Sequence, residues 1–474
     1  MSGGRAEAAR AWTAPLIAAV LVFGGHLALG ANATSLALGL CAVWFAFLAV
    51  LLAAAPWARR ALQRARLGLV GAPFACVLVL AILSLTPAGV GGPQPIWRQV
   101  PGALATVSLD PYATLVQIVL VLALAAAFVA GVALGADEER ARRTLRSLLL
   151  LGMAYGAWAF ADHAISPALL FGAPRPFEPD RLSASFGSAN TAATLFGALT
   201  LLGLVDLSGA YRAARPGGAF QARDLQRLAP ALVRPLIALA LAATCLVLTQ
   251  SRAGMLATAA VGVALVGALA ITRARTGAVA APLVGAGALA AGLALASVAL
   301  NLGALQQRFS FLRADALARG QVFAAHWAAV QAAPWSGYGL GGFAHVNAMI
   351  MNRTDAAALA SLGAAHDVYL QWLEQAGALG AAAMFATVAL AAALLAAAAI
   401  GRRRLRAWRI GIGAVLALFL VHGASDYALE VPSMALFLSL LLGLGVGAPP
   451  SPLLSRRAAA PGGGGGRGAL AVAQ

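Results

Sequence analysis

Long stretches of this chain contain no charged side chain, and this feature constrains its fold more than any other. Between Arg10 and Arg59 there is no charge at all, which leaves room for two membrane-spanning helices with a turn near Asn32–Thr34. A hydrocarbon core of about 30 Å needs roughly 20 apolar residues per helix. Of the 474 residues, 61% are hydrophobic and only 10% are charged. This composition excludes an ordinary soluble enzyme and a disordered chain, and it indicates a membrane protein.

Twelve stretches are long and apolar enough to cross a membrane. Two precede Arg59, and the others are centred near residues 78, 123, 157, 198, 242, 262, 288, 389, 418 and 440. The first resembles a secretory signal, but a second span follows it directly, so we expect an uncleaved helix. The eleventh is the shortest, with 16 uncharged residues between Arg409 and Asp426. The predicted fold class is an all-α polytopic membrane protein with about 12 transmembrane helices.

The arginines predict the orientation, because cytoplasmic loops of membrane proteins carry an excess of basic residues. All 33 basic residues are arginine, and the net charge is +17. They form short clusters between apolar stretches rather than a solvated basic domain, which argues against a nucleic-acid partner. With a cytoplasmic N-terminus, 25 arginines fall inside and 8 outside. We therefore predict that both termini are cytoplasmic.

This topology divides the chain into four regions. Residues 1–300 contain transmembrane helices 1–9, and residues 301–366 form a long extracytoplasmic loop between spans 9 and 10. Residues 367–447 contain helices 10–12. Residues 448–474, with five consecutive glycines, are expected to be a flexible cytoplasmic tail.

The long outer loop contains a helical pattern of its own. Arg319, Phe323, Trp327 and Val330 fall at helical spacing, which predicts a short amphipathic helix on the membrane face. Pro334 would end this helix, and the glycines that follow it indicate a tight loop.

Arg252 lies at the predicted tip of a tight hairpin, with 17 uncharged residues before it and 20 after it. A guanidinium in this position can snorkel to the lipid headgroups without any further role. It also offers a fixed fork of donors suited to a pair of anionic oxygens. Both interpretations stay open from position alone.

His366 lies where the chain re-enters the membrane after the long loop. A partly dry histidine can act as a base at neutral pH if a neighbour sets its tautomer. A hydrogen-bonded interfacial histidine without a chemical role fits the same position. His326 is interpreted in that second way.

Two acidic residues in an outer loop, Glu178 and Asp180, are the candidates for a metal site. They could hold a divalent cation, or they could be a solvated pair beside Arg175 and Arg181. No P-loop, dinucleotide fingerprint or zinc-type Cys/His spacing is present in the sequence, so no cofactor is predicted.

Several short motifs follow one another between about residues 180 and 400. They are Phe186-Gly187-Ser188-Ala189-Asn190, Ser251-Arg252-Ala253-Gly254, Arg319 four residues before an aromatic, Pro334 with Gly337-Tyr338-Gly339, Ala365-His366-Asp367, Tyr369-Leu370-Gln371 and Glu374-Gln375-Ala376-Gly377. This ordered set, together with the long loop between spans 9 and 10, resembles the O-antigen ligase and polymerase family. Members of that family are glycosyltransferases of the bacterial inner membrane that use lipid-carried sugars.

The resemblance implies a metal-independent transfer on the periplasmic face of the inner membrane. The donor would be a glycan on undecaprenyl diphosphate, and the acceptor would be lipid A core, a protein or a growing polysaccharide. Arg252 and Arg319 would bind the diphosphate, and His366 would be the catalytic base. The supporting residues would be Ser251, Asn190, Asp367, Tyr369, Glu374, Gly337 and Gly339.

One position departs from the family pattern, because Asp367 follows His366 where the family usually has asparagine. An acidic neighbour would raise the pKa of the histidine and could orient it, or it could reflect a different acceptor.

Three classes of function remain open at this point. The chain could be a ligase or a polymerase of this family, a transporter or flippase, or a scaffold of an export complex. Transporters place ionisable residues near the membrane midplane and often have inverted repeats. Here the charges cluster at predicted span ends, and Arg252, Arg319 and His366 all map to one face of the membrane, which favours the enzyme.

The predicted topology can be tested with reporter fusions. A reporter fused after Arg275 or Arg409 should report a cytoplasmic position, and one fused near His345 should report an external one, because of the 25-to-8 distribution of arginines. A cytoplasmic signal from the fusion near His345 would place the candidate site in the wrong compartment and end the catalytic hypothesis.

Overall fold

The computed structural model describes residues 2–65, 67–175, 180–214, 222–274, 312–353, 356–360, 362–401 and 405–447. The predicted span near residue 288, the first part of the long loop, Glu178 and the C-terminal tail lie outside these residues.

The described residues form fifteen α-helices, which we number in chain order. They are α1 Ser2–Leu27, α2 Thr34–Ala54, α3 Pro56–Arg64, α4 Gly68–Leu83, α5 Pro111–Gly135, α6 Glu138–Ile165, α7 Ala189–Ala214, α8 Ala222–Leu248, α9 Arg252–Ala274, α10 Leu312–Ala332, α11 Phe343–Ile350, α12 Ala356–Leu359, α13 Val368–Gly401, α14 Arg406–Gly423 and α15 Pro432–Val446. Short 3-10 helices cover Leu29–Ala31, Pro95–Gln99 and Ala428–Glu430. Two short antiparallel strands, β1 Leu169–Leu170 and β2 Ala173–Pro174, form a hairpin after α6.

Eight of these helices are long and apolar enough to cross a membrane: α2, α5, α6, α7, α8, α9, α13 and α14. The bent pair α3 and α4 would add a ninth, and α1 and α15 contain shorter apolar helices. Every predicted span centre within the described residues falls in one of these helices. The all-α membrane class is therefore confirmed, whereas the count of 12 spans stays a prediction.

Helix α7 lies at the centre of the bundle, where α8, α9 and α14 pack against it. Its span is 94% buried, so almost none of it faces lipid. Small side chains such as Ala192, Ala193 and Ala198 let the neighbouring helices approach closely. The N-terminal end of this enclosed helix carries Asn190, which places that residue against several elements at once.

Helices α5 and α15 pack backbone to backbone through two glycine pairs with four-residue spacing. A Cβ at Gly443 would lie 2.1 Å from the carbonyl oxygen of Phe128, and a Cβ at Gly131 would lie 2.4 Å from that of Leu440. Gly135 and Gly447 repeat the pattern one turn further along. Such small-residue contacts drive helix association in lipid, where apolar burial gives no advantage.

We expect Gly443→Ala to destabilise the protein by about 1–3 kcal/mol, because the added methyl group has no space against the α5 backbone. The matched control is Gly39→Ala in α2, where a Cβ would meet no heavy atom within 4 Å. Thermal unfolding in detergent would compare the two variants. Equal stability of both variants would contradict the close packing of α5 and α15.

Candidate active site

The hairpin predicted around Arg252 joins α8 to α9 through only three residues. Gln250 adopts a left-handed backbone with φ of 51°, which reverses the chain. The Ser251 hydroxyl then caps α9 by accepting a hydrogen bond from the Gly254 amide at 3.3 Å. Arg252 is therefore the first residue of α9, and it is half-buried. The start of a helix also contributes partial positive charge, which favours an anion there.

A network of polar side chains forms hydrogen bonds with this hairpin. Ser251 Oγ donates to Asn190 Oδ1 at 2.8 Å, so the structure brings together two of the predicted supporting residues. Arg181 donates to the same oxygen at 3.3 Å and to the Thr249 carbonyl at 2.9 Å. Only 7% of Arg181 is exposed, although its sequence position suggested a solvated loop. Sequence reasoning missed this residue because a charge beside Asp180 normally indicates solvent.

The ends of three helices meet beside the hairpin. Gly254 packs against His422 in the last turn of α14, and a Cβ there would lie 3.3 Å from the ring. His422 bonds Thr194 of α7 through Nδ1 at 2.7 Å. Gly423 packs in turn against Val368, the first residue of α13. Through these contacts the hairpin of Arg252 lies next to the segment that carries His366.

His366 occupies a left-handed backbone conformation with φ of 55°, which is uncommon outside glycine. The ring is half-buried, and Tyr427 packs edge-on against it at 4.8 Å between centroids. Burial lowers the pKa of His366 below its ordinary value, and the positive charge of Arg319 lowers this pKa further. The imidazole is therefore neutral at pH 7, as a base requires.

The structure corrects the expected effect of Asp367 on this pKa. The Asp367 carboxylate turns to the start of α13, where Oδ1 accepts hydrogen bonds from the amides of Tyr369 at 2.9 Å and Leu370 at 3.1 Å. It therefore acts as a helix cap, and the pKa of His366 falls instead of rising. Gln371 holds the other side of the turn, because its Oε1 accepts from the Ala365 amide at 2.9 Å.

Arg319 lies on α10 with its side chain exposed, on the same face as the stacked rings of Phe323 and Trp327. Its charge acts on His366 and also on Asp426, in the loop between α14 and α15. Asp426 is fully buried, and burial raises its pKa to about 6 although Arg319 and Arg181 oppose this shift. Nothing in the sequence distinguishes Asp426 apart from its place at a span end.

Helix α13 is broken at Gly377, where φ is 61° and ψ is −177°. The loop after Pro334 fills the break with four backbone hydrogen bonds. Tyr338 and Gly339 donate to the carbonyls of Glu374 and Gln375, at 3.0 and 2.9 Å, and the amides of Ala378 and Leu379 donate to Pro334 and Trp335, at 2.8 and 3.3 Å. We call this arrangement the clasp: residues 334–339 bonded to residues 374–379.

Three glycines make the clasp possible. A Cβ at Gly377 would lie 2.3 Å from the Trp335 carbonyl, and one at Gly337 would lie 2.4 Å from the Glu374 carbonyl. Gly339 approaches Ser108 as closely, with 2.4 Å to its hydroxyl oxygen. Gly337 and Gly339, predicted to support the site, therefore lie in its framework.

The remaining supporting residues also hold helices in place. The Tyr369 hydroxyl donates to the Leu420 carbonyl at 2.7 Å and so ties α13 to α14. Glu374 is buried on α13 and bonds His326 of α10. Asp180 is exposed, and its backbone carbonyl accepts from Gln250 at 3.2 Å. Among the residues that the structure describes, no three His, Cys, Asp or Glu side chains cluster as a metal site would need.

Residues 237–385 match the family model described as O-antigen ligase. The match over these 149 of the 474 residues supports an O-antigen ligase family assignment. The matched segment contains Arg252, Arg319, His366 and both sides of the clasp, whereas Asn190, Arg181 and Asp426 lie outside it. No curated protein matches the chain. Together with the candidate membrane-spanning helices, this match supports a membrane enzyme that processes glycans.

We expect Gly377→Ala to open the clasp, because an alanine there meets the Trp335 carbonyl in a backbone conformation that costs about 1–3 kcal/mol outside glycine. The melting temperature should fall, and a protease should cleave the loop after Pro334 more readily. Gly267→Ala in α9 is the control, since a Cβ there meets nothing within 4 Å. A Gly377→Ala protein as stable and as protease-resistant as the control would disprove the role of the clasp.

Proposed function

We propose that this protein transfers a glycan from an undecaprenyl-diphosphate carrier to an acceptor on the periplasmic face of the bacterial inner membrane, without a metal ion. One observation carries the proposal: half-buried His366, whose pKa is lowered by burial and by the charge of exposed Arg319, lies with that arginine in the segment that matches the O-antigen ligase family model. In this proposal, His366 is the base, and Arg319 belongs to an anion-binding site beside it at the edge of the membrane.

The two arginines would stabilise the leaving group. When the bond between the sugar carbon and the diphosphate oxygen breaks, negative charge develops on the diphosphate. Guanidinium groups bind paired phosphate oxygens with two parallel hydrogen bonds, and such bonds are strongest where water is excluded. Arg252 adds the partial positive charge of the α9 N-terminus to its own charge.

His366 would accept the proton of the attacking hydroxyl. As the acceptor oxygen forms its bond to the sugar carbon, the imidazole takes the hydroxyl proton, and the lipid diphosphate leaves with the electron pair. The lowered pKa keeps the imidazole unprotonated at neutral pH, and edge-on packing by Tyr427 limits its rotation. The same chemistry serves lipid A core, a protein or a growing polysaccharide as acceptor, so a polymerase of the family remains the alternative.

The division of roles predicts distinct effects of substitution. Lysine keeps the charge of arginine but loses its planar fork, so Arg252→Lys and Arg319→Lys should each lower the transfer rate about ten- to a hundredfold. His366→Ala should lower it by about 10²–10⁴-fold and leave donor binding intact, because the base contacts the acceptor. The measurement is glycan transfer from a purified lipid-diphosphate donor in excess chelator.

Two outer-face variants serve as matched controls: Arg98→Lys and His345→Ala, both at exposed positions. They should transfer glycan at the wild-type rate. If the Arg252 side chain only reaches the lipid headgroups, Arg252→Lys should keep the wild-type transfer rate. Well-inserted Arg252, Arg319 and His366 variants with near-native transfer would refute the proposal, as would activity that depends on added magnesium.

A further inference from the structure

A buried histidine–carboxylate pair joins α10 to α13. His326 Nδ1 and Glu374 Oε2 form a hydrogen bond, and neither side chain has any exposed surface. From sequence position alone, His326 was interpreted as a hydrogen-bonded histidine without a chemical role, and its partner was not predicted. Two titratable groups so far from water are costly to bury, and removing one partner of such a pair leaves the other uncompensated.

The pair is continuous with the packing around His366. The His326 ring stacks on Phe343 with 4.8 Å between centroids and 17° between planes. Phe343 belongs to a small buried cluster with Val330, Leu370 and Ala365, the residue directly before His366. The His326 ring therefore packs against the buried cluster that borders the turn of His366.

One member of the pair, His326, lies on the same helix as Arg319. Arg319 precedes His326 by seven residues, which is about two helical turns, so both lie on one face of α10. Glu374 lies on α13, the helix that begins two residues after His366. The position of Arg319 relative to His366 therefore depends on how α10 packs against α13.

We propose that His326 and Glu374 are positioning residues, which set the distance between the diphosphate-binding Arg319 and the base His366. This inference rests on the proposed function of those two residues. The hydrogen bond is directional, so it fixes the sliding and rotation of α10 along α13, which apolar packing alone leaves freer. A shift of about 1 Å in such a geometry can lower a rate about a hundredfold.

Two single substitutions separate position from charge. Glu374→Gln keeps the length of the side chain and an oxygen that can accept from His326, but it removes the charge. Glu374→Asp keeps the charge and shortens the side chain by one methylene. Under the proposal, Glu374→Gln retains kcat within about threefold, whereas Glu374→Asp loses about ten- to a hundredfold in kcat with little change in donor KM.

A double substitution separates position from stability. His326→Leu with Glu374→Leu replaces the pair by apolar side chains, which buried pairs often tolerate without loss of stability. We expect a melting temperature near that of the wild type and a kcat that stays about ten- to a hundredfold lower. The control is His26→Leu with Ser433→Ala, which removes a buried hydrogen bond between α1 and α15 and should leave kcat unchanged.

Two results would overturn the inference: a double leucine variant with wild-type kcat, or Glu374→Asp faster than Glu374→Gln. If the double variant fails to insert, the order of the two single variants decides. His366→Ala is measured in the same assay. An active His366→Ala protein refutes the proposed function itself, whereas an inactive one beside a fully active double variant refutes only the positioning role.

Discussion

The break in α13 and the loop that fills it are the interaction on which the rest of the site depends. A membrane helix cannot leave backbone groups unpaired in or near hydrocarbon, so an interruption persists only where other protein groups replace the lost bonds. Here residues 334–339 supply them through the clasp. The part of α13 before the break is thereby joined to the segment that follows α10. Arg319 and His366, which lie on opposite sides of this junction, become parts of one framework.

Much of the fold could be predicted from the sequence, because uncharged stretches mark membrane helices and arginines interrupt them. The hairpin at Arg252 followed from the same reasoning, whereas the helix around Arg319 followed from the helical spacing of that residue with Phe323, Trp327 and Val330. The break at Gly377 could not be predicted, since the apolar pattern continues through it and only the distant loop explains it. Arg181 and Asp426 were missed for a related reason: sequence shows a charge at a span end but not the burial that tertiary packing imposes.

A buried carboxyl group, that of Asp426, lies near the arginines of the candidate site and offsets part of their positive charge. Arg181 and Arg319 both act on the buried carboxyl of Asp426, which faces them from the loop after α14. A carboxylate in this position offsets part of the positive charge near His366. It also lies in the same loop as Tyr427, whose ring contacts that histidine. The loop between α14 and α15 therefore belongs to the site, although it lies outside the segment that matches the ligase family.

Because Asp367 caps the start of α13, the effect of a substitution at this position depends on whether the new side chain can also form the cap. Asparagine and aspartate are about equally good at starting a helix, because each offers a side-chain oxygen to the first free amides. Exchanging one for the other therefore preserves the start of α13 and the turn that holds His366. What changes is a formal charge one residue from the histidine, carried by an oxygen already occupied by two amides. An exchange between the two residues therefore changes the charge beside this histidine and keeps the backbone turn that presents it.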